Sequence, residues 1–179
     1  WAYLDVTARN DVSSTLPAAN RSYFYPSVGG SIVLSQLLSN KGIQTGPVSF
    51  AKVRASWAEV GNDTEPYKLR DYYNILFVKG VLTASPDNYK TNPDLKPESI
   101  KSTELGFDVR LFDNRLGFDF TWYKKNAFDQ IIKIAVPPST GYQYELKNAG
   151  NVENKGVELS LNANVVKQKD FNWDLTLNY

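Results

Sequence analysis

Acidic and basic side chains recur at every second position in several stretches of this chain, and that spacing limits their chemistry. Asp108 and Arg110 alternate with Phe107, Val109 and Leu111; Asp119 lies between Phe118 and Phe120; Glu158 lies between Val157 and Leu159. Arg54 sits likewise between Val53 and Ala55, and Glu104 precedes Leu105. Paired carboxylates such as Asp108 and Asp119 are the residue types of glycosidic hydrolysis. On a regular strand pair, however, nothing in the pattern implies the desolvated pocket that would raise one of their pKa values, so no catalytic residue is assigned. Histidine is absent, which removes His-dependent triads and imidazole zinc sites, and cysteine is absent, which removes disulfides and thiolate metal sites. Asp63, Glu65 and Asp71 do not have EF-hand spacing and read as solvated loop acids. No metal or cofactor is expected.

A second group of chemically useful residues is aromatic. Tyr67, Tyr72, Tyr73 and Tyr89 fall in one long irregular segment, and Tyr142 and Tyr144 in another. Aromatic faces stack on sugar rings or peptide side chains, and phenol hydroxyls add directional hydrogen bonds. These six are the candidate substrate-binding residues; the competing reading has them packing the loops together. Trp57, Trp122 and Trp173 fall on apolar strand faces and read as structural.

The elements that position these groups follow from the same period of two, which marks strands with one dry and one wet face. Leu116, Phe118, Phe120 and Trp122 share a face, as do Val157, Leu159, Leu161, Ala163 and Val165, and Phe171, Trp173, Leu175, Leu177 and Tyr179. Weaker versions occur at Leu4 to Ala8, from about Tyr23 to Leu34, at Ala51 to Trp57 and at Leu105 to Leu111. Pro26 predicts a less fully paired start to the second strand. Ser35 to Asn40 predicts a short helical turn. Asp and Glu on the wet faces need water, because burial without partners costs too much.

Connections between these seven strands alternate in length. Residues 10–20, 61–97 and 128–150 are long; the links at 35–47, 112–115 and 167–170 are shorter. In an antiparallel sheet alternate connections lie at opposite ends, so one end carries the elaboration. Outer-membrane barrels have this asymmetry, and a β-sandwich with long loops can have it too.

Composition narrows the classes. The net charge of +1, without a basic patch interleaved with aromatics, sets nucleic-acid binding aside. No stretch approaches the roughly 20 apolar residues of a membrane helix, which says nothing about membrane strands. Mean hydropathy of −0.39 suits a soluble protein and a polar-lined barrel equally. Methionine is absent and the chain starts at Trp1 inside a strand-like run, so it is expected to be a piece of something longer.

Ordered motifs along the chain resemble the SusC/RagA-type TonB-dependent transporters of the Bacteroidetes outer membrane. They are Arg21 to Gly30; Lys52-Val53-Arg54-Ala55-Ser56-Trp57 followed by Val60-Gly61-Asn62; and Asn92-Pro93-Asp94-Leu95-Lys96-Pro97-Glu98. They continue with Glu104 to Asp108, Asp113 to Leu116, Thr121-Trp122-Tyr123, and Asn148-Ala149-Gly150-Asn151-Val152-Glu153-Asn154-Lys155-Gly156-Val157-Glu158. The resemblance implies an all-β fold, an antiparallel transmembrane β-barrel of about 22 strands of which residues 1–179 would supply about seven. The plug domain and remaining strands would lie elsewhere, and Tyr179 is not expected to be the native terminus.

By that resemblance the function would be TonB-dependent import of an oligosaccharide or oligopeptide across the outer membrane of a Gram-negative, Bacteroidetes-type bacterium. A SusD-like surface lipoprotein would be the partner, and the TonB complex would act through the plug. Arg54, Glu104, Asp108, Arg110, Asp119 and Glu158 would line the lumen, with Lys52 and Arg54 near the plug. The tryptophans would face lipid or its interface. The Asn-Pro and Lys-Pro steps would fix loop geometry. The alternative from another class is a soluble carbohydrate-binding β-sandwich, in which Phe118, Leu159 and Leu175 would be buried against an opposing sheet.

Overall fold

Each alternating segment forms a strand in the computed structural model, which describes residues 1–179. In chain order the elements are β1 (Ala2–Val12), β2 (Ser22–Val33), α1 (Leu34–Asn40), β3 (Val48–Asn62), β4 (Tyr73–Val78), β5 (Val81–Pro86), β6 (Tyr89–Lys90) and β7 (Glu98–Leu111). They continue with β8 (Leu116–Phe128), β9 (Ile131–Ala135), a 3-10 turn (Pro138–Thr140), β10 (Tyr144–Asn148), β11 (Asn151–Lys167) and β12 (Asn172–Asn178).

The seven strands expected from alternation form one open sheet in the order β1-β2-β3-β7-β8-β11-β12, every neighbouring pair antiparallel. Pairing in this register puts like with like. Ile32, Val53, Phe107, Phe120 and Leu159 form one cross-strand row, and Phe107 stacks on both Phe118 and Phe120 at 5.4 and 5.3 Å between ring centroids. The adjacent row on the other face is Ser31, Arg54, Gly106, Thr121 and Glu158. Residues 22–26 pair with β1 only, since the β2–β3 ladder begins at Ser27, so Pro26 occupies a stretch paired on one side.

No second layer covers the apolar face. Only Leu16, Leu95 and Leu146 among the hydrophobic residues are buried, and none lies in the seven-stranded sheet. Phe118 and Leu159 are half-exposed and Leu175 is 53% exposed. The β-sandwich alternative is therefore overturned: 179 residues that face water on one side only would bury a continuous inter-sheet core, and this chain has none.

The sheet's two ends differ as the connection lengths predict. Residues 13–21, 63–97 and 129–150 gather at one end, while 112–115, 168–171 and the α1 link occupy the other. Two of the segments read as loops carry regular structure, which is a correction: 63–97 holds the β4–β5 hairpin and β6, and 129–150 holds β9 and β10. β6, β10 and β9 make a separate small sheet. At the plain end the β7–β8 turn takes three consecutive left-handed residues, Phe112, Asp113 and Asn114, with φ of 54°, 54° and 64°. The Asp113 backbone N–H donates to Ser49 Oγ at 2.8 Å, tying the turn to β3.

Candidate functional site

The polar face is a connected surface. Arg54 on β3 reaches across β7 to β8, donating to both carboxylate oxygens of Asp119 at 2.9 and 2.8 Å and to Thr121 Oγ1 at 2.6 Å. Gly106, the β7 residue between them, makes the crossing possible: a Cβ there would stand 2.6 Å from Arg54 Nε and 2.9 Å from Cζ. The guanidinium lies over the glycine, and Gly106 is buried as a result. Tyr123 lies over Gly156 in the same way, its hydroxyl 2.8 Å from where a Cβ would be. Asp108 pairs with Arg110 at 3.4 Å, Arg110 lies over the Phe50 ring at 5.2 Å, and Glu104 stands 3.9 Å from Lys125. The Glu158 side chain makes no hydrogen bond or ion pair within the chain. All six charged residues singled out in the sequence therefore share one sheet face, four of them in ion pairs with one another.

The elaborated end is held by a clamp that the motifs build together. Leu95 is wholly buried against Leu16 and Leu146, with Tyr23, Leu69 and Ile131 around them, so each of the three long connections contributes one leucine. Asn148 Oδ1 accepts the Lys96 N–H at 2.8 Å, and its Nδ2 donates to the Lys96 and Asp129 carbonyls, each at 2.8 Å. Glu98 accepts the Ile131 N–H at 2.8 Å and Asn62 Nδ2 at 2.9 Å. Asn20 Nδ2 donates to the Leu95 carbonyl at 3.1 Å, and Asp63 accepts hydrogen bonds from Ser13 and Thr15. The three motif stretches around Asn62, Leu95 and Asn148 thus meet at the base of the loops and fix where they stand.

Above this clamp the tyrosines divide. Tyr67 and Tyr72 come together on an open cleft of about 660 Å³, shared with Ser14, Thr15, Pro66, Leu69, Arg70 and Asp71. Tyr67 is 82% exposed and adopts a left-handed backbone, φ 66°. The carboxylate of Asp87 holds the Tyr72 phenol above its ordinary pKa by hydrogen bonding. Tyr89 and Tyr144 pair across β6 and β10 and stack at 5.7 Å, with the Lys68 and Lys133 ammonium groups each 4.8 Å from the Tyr89 ring. Tyr73 opens the exposed β4–β5 hairpin, and Tyr142 follows the 3-10 turn. The six therefore do not form one platform. Arg70 and Leu69, which join the cleft, carried no signal in the sequence, because nothing about an isolated Arg or Leu in an irregular segment distinguishes it.

Lys147 and Lys90 both reach Glu145, at 3.1 and 3.4 Å, and the hydrogen bond from Lys147 chiefly holds the Glu145 carboxyl below the usual glutamate value. No helix is long and apolar enough to cross a membrane, which says nothing of crossing by strands.

Comparison with known proteins places this geometry. The family model for the TonB dependent receptor-like β-barrel matches residues 3–179. TonB-dependent receptor P3 of Formosa agariphila is 32% identical over 181 residues, covering 97% of this chain and 18% of that protein. TonB-dependent receptor SusC of Bacteroides thetaiotaomicron is 26% identical over 193 residues, covering 96% and 18% respectively. Among solved structures, the RagAB peptide importer in its closed-closed state superposes with a TM-score of 0.88 at 27% identity, covering 99% of this chain and 20% of that one. The siderophore receptor PirA of Pseudomonas aeruginosa shares the fold at a TM-score of 0.62 and 18% identity. The chain spans about a fifth of the length of the relatives it matches. With SusC and the RagAB importer among its relatives, the chain belongs to the TonB-dependent receptor-like β-barrel family.

Proposed function

We propose that this chain is a section of the wall and outward loops of an outer-membrane importer that takes up an oligosaccharide or oligopeptide at the expense of TonB-delivered energy. The observation that carries this reading is the asymmetry of the seven-stranded sheet. Its apolar face has no protein cover, while its other face is polar and ion-paired. Apolar side chains from Leu116 to Trp122 on β8 cover about 20 Å of strand at 3.3 Å per residue and those from Val157 to Val165 on β11 about 26 Å, which at a tilt of about 40° rise about 15 and 20 Å through an apolar band of about 25 Å in outer-membrane barrels. In this reading Arg54, Glu104, Asp108, Arg110, Asp119 and Glu158 line the water-filled passage. The Arg54–Asp119 clasp keeps the wall smooth and its charges matched.

The clamped loops face outward. Tyr67 and Tyr72, on their cleft with Arg70, are the tyrosines best presented to cargo; Tyr73, Tyr89, Tyr142 and Tyr144 support the surrounding surface. A SusD-like lipoprotein caps this end, and the plug, which belongs to the rest of the protein, relays the TonB pull. The RagAB relative is a peptide importer, which supports the oligopeptide; the oligosaccharide remains as the second cargo class that the motif resemblance implies.

Uptake by whole cells tests it. Cells carrying the full-length protein are offered labelled oligopeptides and oligosaccharides, with and without a functional TonB system. TonB-dependent uptake of one class, lost when the gene is deleted, is the expected result. Unchanged uptake in the deletion for every cargo tested overturns the import reading.

A further inference from the structure

The cleft that holds Tyr67 and Tyr72 is built from tethered residues around a free cation. Leu69 packs against the buried leucines of the clamp. The Asp71 carboxylate accepts the Thr91 hydroxyl at 2.8 Å, and the Tyr72 carbonyl accepts the Asp87 N–H at 3.3 Å. Ser14, Tyr67 and Arg70, on the same cleft, have side chains with no hydrogen bond or ion pair within the chain. All three can donate, and the guanidinium can only donate. At about 660 Å³ the cleft is of the size that takes small ligands.

The strand that leaves this cleft is open along one side. β4 begins at Tyr73, directly after Tyr72, and pairs only with β5 in a sheet of two strands. Its other edge therefore presents unpaired N–H and C=O groups, and a two-stranded hairpin is marginally stable until a third strand or a packing partner joins it. One face of the hairpin is apolar throughout. Tyr73, Ile75 and Phe77 lie opposite Pro86, Ala84 and Leu82, and Ile75, Phe77 and Leu82 are 66%, 75% and 61% exposed. An extended peptide laid antiparallel along β4 would run toward Tyr73, and its C-terminal carboxylate would arrive beside Arg70.

We infer that the Arg70 cleft and the open edge of β4 together capture the C-terminal end of an oligopeptide. Arg70 takes the free carboxylate, and β4 pairs with the extended backbone behind it. The inference rests on the import reading above and narrows its cargo to peptides with a free C-terminus. A guanidinium meets a carboxylate with two parallel hydrogen bonds, and the Ser14 and Tyr67 hydroxyls on the same cleft are free to add to them. Asp71 is the one acid on the cleft and opposes the incoming charge, but its carboxylate is engaged by Thr91. Backbone pairing is indifferent to the peptide's sequence, while the apolar face favours an apolar side chain at every second position. A neutral oligosaccharide offers neither the carboxylate nor a backbone that extends the ladder.

The test measures binding of N-terminally labelled hexapeptides, apolar at alternate positions, to the full-length protein in an uncharged detergent. The free acid should bind about tenfold more tightly than the C-terminal amide, as expected for one charge-assisted pair. R70Q should bring the acid down to the affinity of the amide, and D71N, which removes the opposing acid, should widen the difference. A C-terminal amide ending in glutamate separates the two sources of carboxylate and should bind as weakly as the plain amide. N-methylation of alternate backbone nitrogens should weaken binding in one register and not in the other. Equal affinities for acid and amide, no binding of either, equal losses for both in R70Q, or tight binding of the glutamate-ended amide overturns the anchor at Arg70. Binding of an oligouronate that is equally tight and equally lost in R70Q overturns the choice of peptide, and indifference to N-methylation in both registers overturns the pairing with β4. TonB-dependent uptake of the same peptides by whole cells keeps this inference apart from the import reading: uptake of acid and amide alike sinks the anchor alone, and uptake of neither sinks the peptide cargo with it.

Discussion

Replacing Gly106 by alanine tests how the polar face is built, because the predicted effect changes sign with the residue at position 54. A methyl group at 106 would stand 2.6 Å from Arg54 Nε and 2.9 Å from its Cζ, closer than real contacts allow. The guanidinium must lift off the strand, giving up two hydrogen bonds to Asp119 and one to Thr121. Hydrogen bonds to charged groups contribute about 1.5–3 kcal/mol when shielded, and exposed ion pairs about 0–1 kcal/mol. Both side chains here are 38% exposed, so the loss should be about 1–2 kcal/mol. In an Arg54→Ala background the three atoms nearest that methyl group are gone, and the same substitution should gain about 0.5–1 kcal/mol by replacing glycine within a strand. Unfolding of the full-length protein in detergent, measured for the wild type, both single variants and the double variant, gives the coupling directly. Equal effects of Gly106→Ala in the two backgrounds would refute the packing of the Arg54 guanidinium over Gly106.

Three further outcomes follow from the clamp, the plain-end turn and the loop ion pairs. Leu95→Ala should cost roughly 2–3 kcal/mol, the low end for a buried leucine because the half-buried Tyr23, Leu69 and Ile131 around the cluster can close in on the space; protease cleavage within 63–97 should rise while the sheet's own unfolding midpoint barely moves. Phe112→Gly should gain about 0.5–1 kcal/mol, since a left-handed non-glycine residue costs about 1–2 kcal/mol and glycine's extra freedom in the unfolded chain offsets part of the relief; an unchanged midpoint would count against strain in that turn. For Glu145, the folded carboxyl lies below its ordinary 4.5. Its stabilising link to Lys147 and Lys90 is therefore complete above pH 4.5 and is lost only as pH falls through the lower folded value. Hydrogen exchange in β6 and β10, corrected for intrinsic rate, should accelerate below pH 4.5 in the wild type and show no such step in Glu145→Gln.

The seven-stranded sheet was legible in the sequence because a period of two needs no tertiary information: Phe118, Phe120 and Trp122 declare a face by themselves. Connection lengths then gave the antiparallel order and the elaborated end. The short strands β4, β5, β6, β9 and β10 were not legible. Tyr89 and Lys90 make a two-residue strand only because β10 is held beside them by the clamp, and no local pattern records that. The charged residues fall on one face by counting positions, but the partnership of Arg54 with Asp119, 65 positions apart, depends on a glycine in a third strand. Likewise the motif around Asn92 to Glu98 read as loop geometry, which was right in kind. That its Leu95 is wholly buried and its Lys96 backbone is held by Asn148 could be seen only once the three connections were folded together. Tyrosines in irregular segments announced their chemistry without their positions, so the six were one group in the sequence and are several in space.

The most direct test of the central claim, that hydrocarbon covers the apolar face and water the other, is a cysteine scan along β8 and β11 of the full-length protein in membranes, in a background free of other cysteines. Spin labels at 118, 120, 159 and 161 should respond to oxygen, which concentrates in lipid, and labels at 119, 121, 158 and 160 to a water-soluble relaxant, with a strict period of two. Labels at 118, 120, 159 and 161 shielded from both agents, as in a packed protein interior, would contradict the account.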